Sequence, residues 1–348
     1  MAYKQETDNS MQQLRTAIRE KNTKHFYVFH GEETFLLHHY LEQLKKLLVD
    51  ELTESFNYNK LTKETFDIQT LADAVESLPM MAESTFVVVD DVDIFKLPES
   101  DRTKLCDIFT DIPDYCTVVF TFVTIPWKPD RKMKKLCDAI DGNATVVNFP
   151  KQSQRDLIAW ITRHFAAEKK KIPPDLCSYL IDITDGTMTA LAGEISKICA
   201  FSGGDTIVKS DIDAVTEPVL DAVVFQMTDS LAEGKYGSAL TKLQQLLKMQ
   251  EKPLSILGAI GNHIRRLSTA RTLLDNGKNA GDFMRLYNVR DYAAEKSMRS
   301  AKRFSAAFCA NAAQLVMETD MQMKTSFDDP ERLLELLLLR LAQEARND

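Results

Sequence analysis

The chain has 348 residues, enough for about two or three domains, and a formal net charge of −8. This acidic balance argues against a protein that coats nucleic acid over its whole surface. The charge is uneven, because residues 220–348 carry 18 Lys and Arg against 16 Asp and Glu, a net of +2. Residues 1–219 carry 25 against 35, a net of −10, so the two parts are expected to offer partners different surfaces.

Cysteine usage and hydropathy bear on the cellular compartment. The six cysteines are scattered, and no two form a CxxC pair of the kind that zinc and redox sites use. Residues 1–24 are polar and charged, and no segment approaches the ~18 consecutive apolar residues of a membrane span. We therefore expect a soluble cytoplasmic protein with reduced thiols, no metal site and no membrane contact.

Residues 26–149 alternate short apolar runs with segments of helical periodicity. Unbroken apolar runs suit strands buried on both faces, and the helices between them predict a parallel α/β sheet. A helix with a stripe of leucines is predicted over residues 33–49. The predicted strands are Phe26–Phe29, Phe56–Leu61, Phe86–Val89, Thr117–Phe122 and Thr145–Phe149.

The pattern becomes entirely helical after Pro150. Ser153, with an acid three residues later, predicts a helix start, and no convincing strand follows. Asp329 and Pro330 predict the N-cap and first position of the last helix. This helix is apolar nearly all round at residues 333–339, so either its own bundle or another subunit must cover it.

A nucleotide-binding architecture is present in outline at the first strand. A strand, Gly31 and a helix follow one another where a P-loop protein places GxxxxGK[ST], which holds phosphate and Mg²⁺. Here the turn has no lysine, and the carboxylates of Glu32 and Glu33 would repel a triphosphate. Asp90 and Asp91 end the third strand like a Walker B motif, but without phosphate ligands we interpret them as solvated acids. This combination of motifs favours a binding protein over an enzyme that hydrolyses ATP.

Residues 153–216 have the pattern of a small helical domain that ends near Pro218, and a second helical block begins at Asp221. Together with the α/β domain, these two parts suggest an AAA+ ATPase of the clamp-loader type. Further catalytic parts of that group are missing, however. Thr189 stands where a lid arginine would reach the γ-phosphate. Neither the Ser-Arg-Cys arginine-finger motif nor the four-cysteine zinc module occurs in the chain.

With these absences, the chain closely resembles the delta subunit family of bacterial DNA polymerase III, nearly from end to end. The order and spacing of the matching segments are more specific than any one motif. After Leu78-Pro79 the family often has Phe or Leu at two positions where this chain has methionines. The matching segments are Phe26–Leu36, Ser77–Ser84, Phe86–Val89, Val224–Met227, Lys252–Gly258, Arg265–Leu267 and Asp320–Thr325.

The resemblance implies a degenerate AAA+ (RecA-like) fold in three parts. These are a parallel α/β domain without a P-loop at residues 1–150, a helical lid at 151–219 and a helical collar at 220–348. It implies a clamp-loader subunit that binds the beta sliding clamp and favours ring opening for loading onto primed DNA. The gamma/tau and delta-prime subunits would share a hetero-oligomeric ring with it, and ATP would be bound by partner subunits and not by this chain. This chain would then need no cofactor and serve as an accessory subunit of a DNA polymerase, without intrinsic activity.

The resemblance also implies a contact site for the clamp. Pro79 disfavours a helical conformation at Leu78, so the chain is expected to leave the preceding helix there and to present Met80 and Met81. In the family, a hydrophobic pair at this place inserts into a pocket on the clamp, and methionines suit adaptable binding surfaces. We expect Leu78, Met80 and Met81 to bind the clamp. From the residues alone, packing of both methionines into the core stays open.

Two basic clusters are candidates for DNA contact. The first comprises Arg131, Lys132, Lys134 and Lys135, and the second is Lys169–Lys171. Such side chains neutralise phosphates, but charge runs are more often solvated helix faces. Both interpretations stay open from sequence.

Two other functions also stay open. One is a nucleotide-dependent ATPase with an unorthodox phosphate loop at Gly31, and the other is a clamp-loader subunit of the delta-prime type. The acidic turn and Thr189 count against the first, and the missing zinc module and Ser-Arg-Cys motif count against the second.

Overall fold

The computed structural model describes residues 2–289 and 291–348, with side chains described from residue 10 onward. It divides into two compact units, Met1–Lys151 and Gln152–Asp348. The first unit contains a sheet, and the second is built from helices. Across the described residues, no helix is both long and apolar enough to cross a membrane.

Five parallel strands form the sheet of the first unit, in the order β2-β3-β4-β1-β5. This confirms the predicted parallel α/β sheet. The prediction was wrong at residues 56–57, which form the end of a short helix, so the second strand starts at Tyr58. The strands are β1 (Phe26–His30), β2 (Tyr58–Leu61), β3 (Thr85–Asp90), β4 (Cys116–Phe122) and β5 (Thr145–Asn148).

Helices cover both faces of the sheet. Successive residues of a strand point to opposite faces, so each strand contributes to two cores. Val28 and Val87 lie in one core, under helices on that face, whereas Phe29 and Val88 lie in the other. The sequence patterns did not reveal the first helix, whose Leu14 is buried in the second of these cores. The helices are α1 (Ala2–Glu20), α2 (Thr34–Leu48), α3 (Glu54–Asn57), α4 (Ile68–Glu76), α5 (Glu99–Thr110) and α6 (Lys134–Asn143).

The second unit is helical throughout its described residues, apart from one isolated bridge between Lys171 and Thr206. Ser153 caps the first of these helices by accepting the amide of Asp156 at 3.3 Å, as predicted. The helices are α7 (Gln154–Ala167), α8 (Pro174–Ile183), α9 (Met188–Phe201), α10 (Lys209–Val215), α11 (Leu220–Ala232), α12 (Tyr236–Lys248), α13 (Pro253–Asp275), α14 (Ala280–Tyr287), α15 (Asp291–Ala301), α16 (Ala306–Thr325) and α17 (Pro330–Asn347).

The last helix, α17, is covered on one side and open on the other. Asp329 caps it through the amide of Glu331 at 3.0 Å, which confirms the predicted start. Five of its leucines are buried in the core of the second unit, but Leu336 and Leu339 are exposed. The bundle therefore accounts for most of the apolar run, and two leucines are left for solvent or for a partner. The buried leucines are Leu333, Leu334, Leu337, Leu338 and Leu341.

Candidate functional site

The turn after β1 packs against the end of β5 instead of forming an open phosphate loop. Gly31 has a φ of +136°, and a Cβ at this position would lie 2.2 Å from the carbonyl oxygen of Phe149. The amide of Glu33, at the start of α2, donates to that same carbonyl at 3.0 Å. The Phe149 amide in turn donates to the carbonyl of His30 at 2.7 Å. Backbone therefore lies where a P-loop would leave room for phosphate.

Asp90 and Asp91 have structural partners, so the interpretation as merely solvated acids was wrong. Asp90 accepts from the Thr121 hydroxyl at 2.6 Å and lies 2.9 Å from the Lys60 ammonium. Burial alone would raise the pKa of Asp90, but the hydrogen bonds from Thr121 and Lys60 outweigh it and leave that pKa below its usual value. These contacts tie the ends of β2, β3 and β4 together.

Asp91 orders the loop that follows β4. Its backbone has a φ of +53°, a left-handed conformation that Asp tolerates better than most residues. Its carboxylate accepts the amides of Val123 at 2.7 Å and Thr124 at 3.0 Å. Asp91, the second acid of the Walker-B-like pair, therefore fixes this loop by accepting hydrogen bonds from its backbone amides.

The residues that the sequence comparison aligned with a lid arginine lie at the start of α9. Gly186 precedes this helix with a φ of +67°, and Thr187 caps it through the amide of Ala190 at 3.2 Å. Thr189 is exposed in the first turn. Its hydroxyl is too short and uncharged to replace a guanidinium that reaches a phosphate.

Helix α4 leads into the segment predicted to bind the clamp. Asp67 caps the helix by accepting the amides of Gln69 at 2.9 Å and Thr70 at 3.0 Å. The helix ends at Glu76, and the next residue, Ser77, is extended. The chain thus leaves the helix two residues before the position that Pro79 would require.

The apolar side chains of this segment point away from the core. Leu78 is 71% exposed, Met80 is 54% exposed and Met81 is 95% exposed. The alternative in which both methionines pack into the core was therefore wrong. Exposed apolar side chains that lie close together commonly mark interaction sites.

A buried asparagine fixes the backbone of the segment. Asn57, at the end of α3, donates from Nδ2 to the Met80 carbonyl at 2.9 Å and accepts the Met80 amide at Oδ1, at 2.8 Å. Met81 then adopts a left-handed φ of +55°. Sequence reasoning missed Asn57, because an asparagine before a strand carries no local sign of a partner 23 positions further along the chain.

The first basic cluster lies at the start of α6. Arg131 pairs with Asp141 at 2.5 Å, whereas Lys132, Lys134 and Lys135 extend into solvent. In the second cluster Lys170 donates to the carbonyls of Ser202 and Gly204, both at 2.7 Å. The charge of Lys170 therefore stabilises the end of α9, which weakens the case for DNA contact there.

The cysteines and the possible metal-ligating side chains of the described residues are further candidates for a site. Among the described residues, no group of three or more His, Cys, Asp or Glu side chains is placed to hold a metal ion. All six cysteines are free thiols. Burial raises the pKa of Cys116 and Cys177, which favours the unreactive thiol form.

Comparison with known families gives matches in both units. Residues 27–150 match the family model described as DNA polymerase III, delta subunit. Residues 221–341 match the model for the C-terminal domain of the same subunit. The two matches fall on the α/β unit and on the helices from α11 to α17.

Individual relatives agree with these models along nearly the whole chain. The sequence is 24% identical over 331 residues to DNA polymerase III subunit delta of Bacillus subtilis, which covers 92% of this chain and 94% of the relative. It is 20% identical over 338 residues to the probable DNA polymerase III subunit delta of Aquifex aeolicus, which covers 95% of both. The solved structure of the Bacillus subtilis DNA clamp loader delta protein superposes with a TM-score of 0.70 at 21% identity, covering 95% of this chain and 99% of that one. This superposition confirms the predicted fold class.

Proposed function

Because the chain belongs to the DNA polymerase III delta subunit family, we propose that this clamp-loader subunit binds the beta sliding clamp and favours opening of its ring for loading onto primed DNA. The observation that carries the proposal is the exposure of Leu78, Met80 and Met81 on a segment with a fixed backbone. Met80 and Met81 stand where the resemblance to the family implies a hydrophobic pair that inserts into the clamp. A pre-ordered apolar segment loses little conformational entropy on binding.

The two methionines supply enough apolar surface for a specific contact. Burying both side chains contributes roughly 3–6 kcal/mol before the costs of ordering are subtracted. Contacts of this size are typical of the few residues that dominate an interface. Methionine also adapts its three rotatable bonds to the shape of a pocket.

Ring opening requires a difference in affinity between two forms of the clamp. A subunit that bound the open and closed rings equally tightly would leave their ratio unchanged. We propose that the Met80 segment fits the clamp better when the adjacent ring interface is open. Each tenfold preference for the open form changes the free-energy difference between the open and closed rings by about 1.4 kcal/mol.

We also propose that this chain neither binds nor hydrolyses ATP, and that gamma/tau partner subunits do so. Support comes from the packing of Gly31 on Phe149, from the structural engagement of Asp90 and Asp91, and from Thr189 in the lid. An ATPase would instead show open backbone amides, a lysine for the phosphates and free carboxylates for Mg²⁺.

The chain from residue 151 onward is proposed to form the lid at residues 151–219 and the collar at 220–348. The open side of α16 and α17 is the part of the collar best suited to contact gamma/tau and delta-prime subunits. Met317 and Met321 on α16 are 71% and 66% exposed, and Leu336 and Leu339 on α17 are 47% and 61% exposed. Their spacings of four and three residues place each pair on one helix face.

Clamp binding by the purified chain tests the proposal. Surface plasmon resonance against the sliding clamp of the same organism would compare the wild type with Met80→Ala/Met81→Ala, with and without ATP. We expect tight binding without nucleotide, a loss of about 100-fold or more in the variant, and no effect of ATP. Met317→Ala/Met321→Ala is the matched control, because it removes an exposed methionine pair from the other unit.

The outcomes separate the competing functions. Binding only in the presence of ATP would support the unorthodox ATPase, and absence of binding would favour a subunit of the delta-prime type. Tight binding that the methionine variant leaves unchanged would move the contact elsewhere on the delta subunit.

A further inference from the structure

The exposed apolar residues of the first unit are concentrated in two chain segments. Among residues 10–151, five large apolar side chains are exposed, and all five lie within residues 52–56 and 78–81. Scattered exposed leucines are ordinary on a protein surface, but such a concentration is not. The five are Leu52 at 91%, Phe56 at 57%, Leu78 at 71%, Met80 at 54% and Met81 at 95%.

Hydrogen bonds hold these two segments side by side. The Asn57 side chain binds both the amide and the carbonyl of Met80, as a neighbouring strand would. Three residues beyond Met81, the Ser84 hydroxyl donates to the carbonyl of Leu48 at 2.7 Å. Asn57 is fully buried, so the asparagine side of these bonds is shielded from water.

The segment that carries Leu52 and Phe56 is itself well ordered. The Leu52 amide donates to the Asp50 carboxylate at 2.8 Å, and the amides of Phe56 and Asn57 both donate to the carbonyl of Thr53. Glu54 is paired with Lys45 at 2.6 Å. Phe56 and Leu52 therefore project from a fixed turn that adjoins the Met80 segment.

The charged residues within the two segments all have the same sign. Residues 48–57 and 76–84 contain five acids and no lysine or arginine. Asp50, Glu51, Glu76 and Glu83 are exposed. An apolar patch with an acidic rim complements an apolar pocket with a basic rim.

We infer that the clamp-binding surface comprises both segments: Leu52 and Phe56 contact the clamp together with Leu78, Met80 and Met81, and Asn57 is the positioning residue that holds the two segments in register. This inference rests on the proposed clamp binding. The partner surface it requires is an apolar pocket flanked by Lys or Arg. The supporting observation is that the Asn57–Met80 hydrogen bonds join the two segments that carry these exposed apolar residues.

The first test replaces Leu52 and Phe56, the two residues that the inference adds to the clamp-binding surface. Leu52→Ser/Phe56→Ser is expected to weaken clamp binding at least tenfold, with an unchanged unfolding temperature because both side chains are exposed. Phe201→Ser/Leu286→Ser is the matched control, since these residues of the second unit are 56% and 64% exposed. The control should bind like the wild type.

The second test isolates the positioning role of Asn57. In Asn57→Ala, hydrogen exchange of the Met80 amide should accelerate and clamp affinity should fall at least fivefold. The same change made in Met80→Ala/Met81→Ala should cause no further loss, because Asn57 acts through that segment. Asn57→Asp keeps the acceptor for the Met80 amide and loses the donor, so it serves as a second variant if Asn57→Ala does not fold.

The charge of the rim gives a third readout. Glu76→Lys/Glu83→Lys should slow association at low salt and leave dissociation nearly unchanged, because rim charges steer encounter. Faster association would overturn the proposed basic pocket.

Different results would contradict the extended surface and the proposed clamp binding. If Met80→Ala/Met81→Ala abolishes binding while Leu52→Ser/Phe56→Ser matches the wild type, the surface is confined to one segment and clamp binding stands. Equal effects of Asn57→Ala in both backgrounds would overturn the positioning role. If the wild type does not bind the clamp at all, the proposed function falls and the extended surface falls with it.

Discussion

His30 ends β1 immediately before the Gly31 turn, and its burial has a consequence for stability. Desolvation lowers the pKa of His30 to about 4, from its usual value near 6.5. Between these two values the unfolded chain binds more protons than the folded chain. The contribution of neutral His30 to stability is therefore complete above about pH 6.5 and is lost as the pH falls toward 4.

Replacement of His30 by Phe should flatten this pH dependence, because it removes the titrating group and keeps an aromatic ring beside Trp127. Urea unfolding at pH 7.0 and pH 4.5 would measure it. We expect the wild type to lose about 1–2 kcal/mol more than His30→Phe over this interval. The same loss in both proteins would show that protonation of His30 is not coupled to folding. His263, whose pKa burial also lowers to about 4, remains in both proteins and cancels in the comparison.

Other residues differ in how far the sequence alone could predict their role. Pro79 is informative locally, since it restricts the residue before it, and so an exit from α4 by Leu78 was predictable, although the helix ends two residues earlier. The roles of Asn57 and Asp91 depend on backbone groups 23 to 34 positions away along the chain. No periodicity or motif encodes such distant contacts, so the roles of these two residues can be recognised only in the structure.

At the scale of elements, α17 has two faces that should respond differently to mutation. Leu334 is fully buried, whereas Leu339 is 61% exposed. Leu334→Ala should lower the free energy of unfolding by about 2–4 kcal/mol, because it leaves a cavity in the bundle. Leu339→Ala should change it by less than about 0.5 kcal/mol. Chemical denaturation of the two variants, which carry the same substitution on the same helix, measures the difference.

The exposed face of α17 should matter for assembly. Leu336→Ser/Leu339→Ser is expected to reduce co-purification with the gamma/tau and delta-prime subunits and to leave clamp binding by the isolated chain intact. Retained clamp binding shows that the variant is folded. Normal assembly of the variant would assign the collar contact to another face.

Elements with a strong periodic signal were predictable, and short or polar ones were not. The apolar runs of β1, β3 and β4 are buried on both faces and therefore stand out in the sequence. Helix α1 is mostly polar, with Leu14 as its fully buried side chain among residues 10–20, so its signal is weak. The aromatic Phe56 favours a strand by propensity, but the one-turn helix α3 places it in solvent, because tertiary contacts override local preference.

At the scale of the whole molecule, the charge distribution distinguishes contact surfaces of different kinds. The segments proposed to bind the clamp carry only acids, whereas the start of α6 carries Lys132, Lys134 and Lys135. A chain with a net charge of −8 binds DNA only where positive charge is locally concentrated. We propose that these three exposed lysines are the DNA-contacting part of the cluster. Arg131 contributes less, because Asp141 already pairs with it.

Charge reversal within the assembled loader tests this proposal. Lys132→Glu/Lys134→Glu/Lys135→Glu should weaken binding to primed DNA and lower the slope of log affinity against log salt by roughly 2–3, since about one counterion is released per phosphate contact. Lys46→Glu/Lys63→Glu/Lys104→Glu is the matched control, because it imposes the same change in net charge at exposed lysines elsewhere on the first unit. Fluorescence anisotropy over a salt series measures both slopes. If the two triple variants lose affinity equally, the effect comes from net charge, and the start of α6 is a solvated helix face. A smaller slope for the α6 variant alone places phosphate contacts at these lysines, because only direct neutralisation of phosphates changes the number of ions released.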